Sequence, residues 1–167
     1  MILGVEQVVD GVVAKLKAEW PDACAEVAAV AGNPEADVPS MLPGAYFAGQ
    51  KMKWELFPNF TVVPLNETPG DENSEYEWVR YPFEVWYLDQ YEDEAILSRR
   101  VWRAARAFRN IFADDQSGRG PNLDGYATGV IRCGLLDLEY GPIFPGEGSV
   151  FLQGFKASLR ADVEETR

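Results

Sequence analysis

The stretch Tyr81 to Phe112, YPFEVWYLDQYEDEAILSRRVWRAARAFRNIF, changes its hydrophobic period near the middle, and that change decides the fold. From Trp78 to Leu88 aromatic and aliphatic residues occupy both alternate sets. This predicts a strand covered on both faces, bulged or at an edge near Pro82. From Glu92 to Phe112 the period is helical. At about 100° per residue, Leu97, Val101, Ala104, Ala105, Phe108, Ile111 and Phe112 fall on one arc of about 120°. Arg99, Arg103, Arg106 and Arg109 lie opposite.

Between strand and helix stand four carboxylates, Asp89, Glu92, Asp93 and Glu94. A strand end that becomes a helix start is where acidic side chains meet free N–H groups and the positive end of the helix dipole. They are therefore predicted to be a solvated helix cap. A metal or acid/base site needs carboxylates converging from separate elements. The pairs on offer, Asp114 with Asp115 and Asp137 with Glu139, have no lysine or histidine at a telling spacing.

Working outward, Phe60 to Leu65 is β-branched and aromatic and predicts a strand, followed by NETPGDENSE, a predicted surface loop. Val5, Val8, Val9, Val12, Val13 and Leu16 recur at helical steps, so the chain opens with an amphipathic helix, predicted to close at Trp20-Pro21. A second short helix is expected over Asp22 to Val30, and the Pro- and Gly-broken GNPEADVPSMLPGAYFAGQ is irregular. Beyond the long helix lies the loop ADDQSGRGPNLDG. Two further strands are then predicted, Tyr126 to Tyr140 and Val150 to Val163, joined through GPIFPGEGS. In the second, Phe151, Phe155, Ala157, Leu159, Ala161 and Val163 alternate with polar residues, and Gln153 is the single polar residue on the apolar face. The order helix, strand, strand, helix, strand, strand predicts a single α+β domain over 1–167. Its sheet is expected to be mostly antiparallel, of four or more strands, with helices packed on one face.

Composition narrows the chemistry. The 167 residues carry a formal charge of −12 and no histidine, which removes the commonest general base and zinc ligand and disfavours general binding to nucleic acid or anionic membrane. No cofactor or metal is expected. Cys24 and Cys133 are expected to be small buried thiols, fitting a reducing compartment such as cytoplasm. Glu6 and Asp10 interrupt the apolar N-terminal run, which reads as neither signal peptide nor membrane span. The glycosylation triplets at Asn59 and Asn66 are expected to be accidental.

GRGPNLDG, from Gly118 to Gly125, follows a helix and precedes a strand, the reverse of a phosphate cradle. Ser98, Ser117 and Cys133 have no histidine to activate them. The arginine stripe is expected to pair with acidic residues of a neighbour or of the same chain. Trp102 projects about 60° off that stripe and away from the core arc. Either the loop 113 to 125 covers it, or Trp102 with Arg99, Arg103 and Arg106 forms a subunit contact, Trp and Arg being enriched in interface hot spots.

Taken in order, the opening helix, FPNFTVV, the acidic loop, the strand and helix of YPFEVWYLDQYEDEAILSRRVWRAARAFRNIF and the closing GFKASLRADVEE resemble the tail-terminator and minor tail proteins of long-tailed bacteriophages. The resemblance implies an α+β sheet with helices against it and no catalytic residues. It also implies a ring, typically of six copies, that caps the tail tube and joins it to the head connector. The expected partners are then the chain itself, the tail tube protein and the head-closure protein, and the place is the tail or neck of a virion. The proline-rich segment 31 to 58 departs from that pattern and leaves head closure or tail completion open. Asp71, Glu72, Glu75, Asp114 and Asp115 are the candidates to line or rim a DNA channel, where acids would repel phosphate. A carboxylate-metal enzyme and an acidic DNA mimic are the alternatives.

Overall fold

The computed structural model describes residues 4–49, 55–72, 76–113, 123, 125–127 and 129–166. Helix α1 spans Val5–Ala31 and α2 spans Glu94–Phe112. The strands are β1 (Tyr46–Ala48), β2 (Asn59–Pro64), β3 (Thr68–Glu72), β4 (Tyr76–Tyr91), β5 (Val130–Tyr140), β6 (Phe144–Pro145) and β7 (Phe151–Thr166), and single 3-10 turns lie at Pro34–Ala36 and Pro43–Ala45. Together the strands form one seven-stranded sheet in the order β1-β2-β4-β7-β5, with β3 also beside β4 and β6 beside β7. Only β1 with β2 is parallel. The fold is α+β, and its seven strands fall within the four or more expected, three of them (β1, β3 and β6) lying outside the predicted four.

The predicted strand of both-faced burial is instead one-sided. Along β4, Val79, Tyr81, Phe83, Val85, Tyr87 and Asp89 are buried, whereas Arg80, Trp86 and Gln90 are exposed. Aromatic density misled because Trp86, 38 % exposed, keeps its ring on the outer face while its indole N–H donates to Glu84 at 2.8 Å. Pro82 does not mark an edge, since β4 is bonded on both sides. The Leu65 amide donates to the Pro82 carbonyl, and an ordinary residue at 82 would return that bond. Pro82 thus places its missing donor where the chain leaves the ladder between β2 and β3. The expected loop NETPGDENSE is likewise corrected in part, because Thr68–Glu72 pairs with β4 across a register shift. Glu75 lies outside the described residues.

α1 runs through Pro21 without the predicted break. A proline in a helix interior costs about 3 kcal/mol by removing one bond and crowding the preceding turn. Here Pro21 is exposed, whereas Leu16, Trp20, Ala23 and Val27 on the opposite side are buried. Each large apolar side chain so buried contributes about 1.5–3 kcal/mol, so the buried stripe outweighs the break. Trp20 meets Phe60 edge-on at 4.7 Å and Tyr87 at 5.9 Å. Lys15, which the helical pattern treats as polar surface, is also buried, with its ammonium on Glu19 at 2.8 Å and over the Tyr126 ring.

The core is a single cluster in which residues of α1, the predicted arc of α2 and the inward residues of β2, β4 and β7 meet. Phe108 sits at its centre, with ring contacts to Phe60, Phe112 and Phe155. On β7 the alternation is as predicted, Phe155, Ala157, Leu159, Ala161 and Val163 all being buried. The outer face carries cross-strand pairs, Lys156 with Glu84 and Glu139, and Arg80 with Asp162. These are exposed pairs of small individual worth that hold polar residues on the water side.

Gly154 is a close approach. A methyl group added there would overlap the Tyr87 carbonyl oxygen and press on the Leu88 backbone. Because the obstacle is backbone in the central ladder, no rotamer change relieves it. Gly154→Ala is expected to lower stability by ~3 kcal/mol or more, measured by urea unfolding; a wild-type midpoint would show that β4 and β7 can separate locally.

Candidate interaction surface

The acidic corner between β4 and α2 divides into two kinds of residue. Asp93 is a true N-cap, its carboxylate accepting from the Ile96 amide at 2.9 Å, with Glu92 and Glu94 exposed beside it. Asp89 is not part of that solvated cap. It is 1 % exposed, because position 89 continues the inward set of β4. One oxygen accepts from the Gln90 amide at 2.8 Å, and the other is buried without a hydrogen bond among the described residues. Burial pushes its carboxyl up to about 6, against the lowering effects of the Gln90 amide, Arg100 and Tyr87. The Tyr87 hydroxyl lies under the influence of Asp89 without completing a well-formed bond, and burial first, then the Asp89 charge, raises its pKa well above the ordinary value.

Gln153, directly across the ladder from Asp89, explains its place on an apolar face. It accepts from the Ser98 hydroxyl at 3.0 Å and donates to the Gly141 carbonyl at 3.1 Å. Ser98 therefore ties α2 to β7. Both cysteines are free; burial pushes each thiol up to about 12, which leaves neither a ready nucleophile.

The arginines of α2 separate by function. Arg103 is mostly withdrawn from water, with 12 % of its side chain exposed. It donates to the carbonyls of Ala31, Gly32 and Asn33 and pairs with Asp37 at 2.7 Å. α1 has no basic residue in its last turn, so α2 supplies the cation that its C-terminal carbonyls favour. Arg103 is thus an intramolecular brace and not a free contact residue. Arg100 stacks over the Tyr91 ring at 3.8 Å. The side chains of Arg99, Arg106 and Arg109 make no ion pair or hydrogen bond among the described residues.

Those three arginines, with Trp102, Arg103 and Asn110 of the same helix, line a groove of about 750 Å³ together with Glu26, Val27, Val30 and Ala31 of α1 and Tyr140 of β5. Trp102 is 53 % exposed and Val30 86 % exposed. The structure thus joins Arg99, Trp102, Arg103 and Arg106 in one place, as predicted from their spacing, and adds Val30, Arg109 and Tyr140. Arg109 was visible on the stripe; Val30 and Tyr140 carried no signal, because they join only when the end of β5 meets the helix pair. Tyr140 also borders an apolar cavity of about 380 Å³ on the outer sheet face, with Trp86, Leu88, Pro142 and Phe144. Among the channel candidates, Asp71 and Glu72 fall in β3, whereas Asp114 and Asp115 lie outside the described residues. Among the described residues no group of three or more Asp, Glu or Cys is placed to hold a metal ion. No described helix is long and apolar enough to cross a membrane.

No family model matches this sequence, and no curated protein matches it. Among solved structures, a chain from the virion of a native gene transfer agent particle superposes with a TM-score of 0.42 at 14 % identity, covering 90 % of this chain and 98 % of that one.

Asp89 yields a signed prediction. Its folded-state value of about 6 stands above the ordinary 3.8, so the folded state holds the proton more tightly than the unfolded chain does. That contribution is fully present below about pH 4 and is lost as pH rises through about 6. Asp89→Asn removes the burden of ionisation, and is expected to stabilise the protein at pH 7 by up to ~3 kcal/mol, shrinking toward zero near pH 4. Thermal unfolding of both proteins across that range measures it; a difference independent of pH would mean that the Asp89 charge is solvated.

Proposed function

We propose that this chain is a structural protein of a phage-type virion: a tail terminator whose copies, typically six by resemblance, close into a ring capping the tail tube and joining it to the head connector. The observation that carries the reading is the groove of α2. A half-exposed tryptophan beside Arg99 and Arg106, neither of them in an ion pair among the described residues, is the composition of an interface hot spot, and it makes a local basic patch on a chain whose net charge is −12. In this reading the helices lie on one face of the sheet and present the groove to a neighbouring subunit. The tail tube protein and the head-closure protein meet the two ends of the ring. The protein is made in the host cytoplasm and ends in the tail or neck of the particle.

The acids have a place in the same reading. A wall that bound phosphate would hold a passing genome by counterion release, whereas an acidic wall lets it slide. Asp71, Glu72, Glu75, Asp114 and Asp115 are proposed to line or rim that channel.

Two measurements test the proposal. Trp102→Asp puts an unpaired carboxylate into a desolvated contact and is expected to leave the monomer folded while abolishing the assembled particle, read by circular dichroism and light scattering. Loss of the fold itself would return Trp102 to a structural role. Wild-type protein is expected not to retain duplex DNA at low salt, and assembled protein carrying Lys at Asp71, Glu72 and Glu75 is expected to retain it. Tight wild-type binding at physiological salt would refute the channel.

A further inference from the structure

The groove has an identifiable occupant. Arg99, Arg106 and Arg109 stand within eleven residues of one helix, a stretch of about 15 Å along its axis. All three guanidinium groups are exposed and none is paired among the described residues, whereas Arg103 between them is consumed by the end of α1. The groove therefore offers three positive charges around an exposed indole, with Glu26 as its single carboxylate. An anionic partner is what such a surface fits. On a chain with 27 acidic residues against 15 basic ones, a second copy supplies one.

The acids of the described surface are not equivalent. Glu19 is bound to Lys15, Asp37 to Arg103, Glu84 and Glu139 to Lys156, and Asp162 to Arg80 and Arg160. Glu92, Asp93 and Glu94 are consecutive and exposed, and none of them is in an ion pair among the described residues. Their backbone is fixed by the end of β4 on one side and by the Asp93 cap of α2 on the other, so little conformational freedom is lost when they bind. We propose that the groove of Arg99, Trp102, Arg106 and Arg109 receives the Glu92–Glu94 corner of a second copy of this chain. This rests on the self-assembly reading above and adds its polarity. In the ring reading each subunit gives its corner to one neighbour and its groove to the other, so the contact is heterologous and repeats head to tail, closing where the rotation permits.

Charge reversal tests the pairing. Arg99→Glu with Arg106→Glu makes the groove acidic; Glu92→Arg with Glu94→Arg makes the corner basic. Each double variant alone opposes like charges and is expected to run as an 18.6 kDa monomer in light scattering, where the wild type gives a multiple of that mass. An equimolar mixture presents only complementary contacts when the two variants alternate, and is expected to recover the assembled mass, in rings of even number. That recovery also shows that both variants are folded. Assembly that survives either double reversal alone overturns the pairing while leaving self-assembly intact, and so does a mixture that stays monomeric. A wild type monomeric at every concentration overturns the self-assembly reading with it. Retention of duplex DNA by the wild type that is lost on reversing Arg99 and Arg106 would make nucleic acid the occupant and overturn the proposal.

Discussion

Everything else in this protein is placed by the ladder between β4 and β7. Sixteen residues of each strand pair without a register shift, Tyr76 against Thr166 at one end and Tyr91 against Phe151 at the other. Because side chains alternate, that register fixes which residues look inward along both strands at once. A slip of β7 by one residue would turn Phe155, Ala157 and Leu159 out to water together while Phe83, Val85 and Tyr87 of β4 stayed inward. Gly154 guards the register sterically, since no other residue fits against the Tyr87 carbonyl. The helices, the β5 edge and the acidic corner take their positions from this pair.

The second determinant is polar and lies at one end of the same pair. Asp89 and Gln153 face each other across the ladder on the buried side, where apolar residues would be expected. Gln153 is fully engaged by Ser98 and Gly141, and it orients the first turns of α2 over the sheet. From there α2 runs back to the end of α1, where Arg103 gathers the carbonyls of residues 31 to 33. One helix thus terminates the other, and the valley between them, with Arg99, Trp102, Arg106 and Arg109 on its flank, is set by that brace. The exposed arginines are available because the brace uses only one of the stripe.

The sequence was most legible where one periodicity was continuous. Every residue of the predicted α2 arc is buried, with Ala107 added to it, the predicted inward residues of β7 are buried except the half-buried Phe151, and Asp93 was readable as a cap from its position alone. It misled where local chemistry and tertiary burial opposed each other. Pro21 reads as a stop, but the stripe of Leu16, Trp20, Ala23 and Val27 carries the helix through it. Thr68–Glu72 is made of turn formers, yet the long free flank of β4 recruits it into the sheet. Asp89 was grouped with its acidic neighbours because charge is local in sequence, whereas its burial follows from strand parity. The groove was half legible: a helical stripe shows Trp102 and the arginines, but only the assembled fold brings Val30 and Tyr140 across from other elements.

The chain order of the strands has a consequence for how this sheet comes into being. β4 and β5 are both synthesised before β7, the strand that lies between them. Until β7 is available, β4 presents an unpaired flank of sixteen residues, rich in aromatic side chains, and β5 has no neighbour at all. Pairing that joins residues so distant in sequence is slow, because chain closure must be completed before contacts reward it. Productive folding is therefore a race between closure of β7 into its slot and edge-to-edge association of incomplete chains, and a cell making many copies would meet that hazard at its most concentrated.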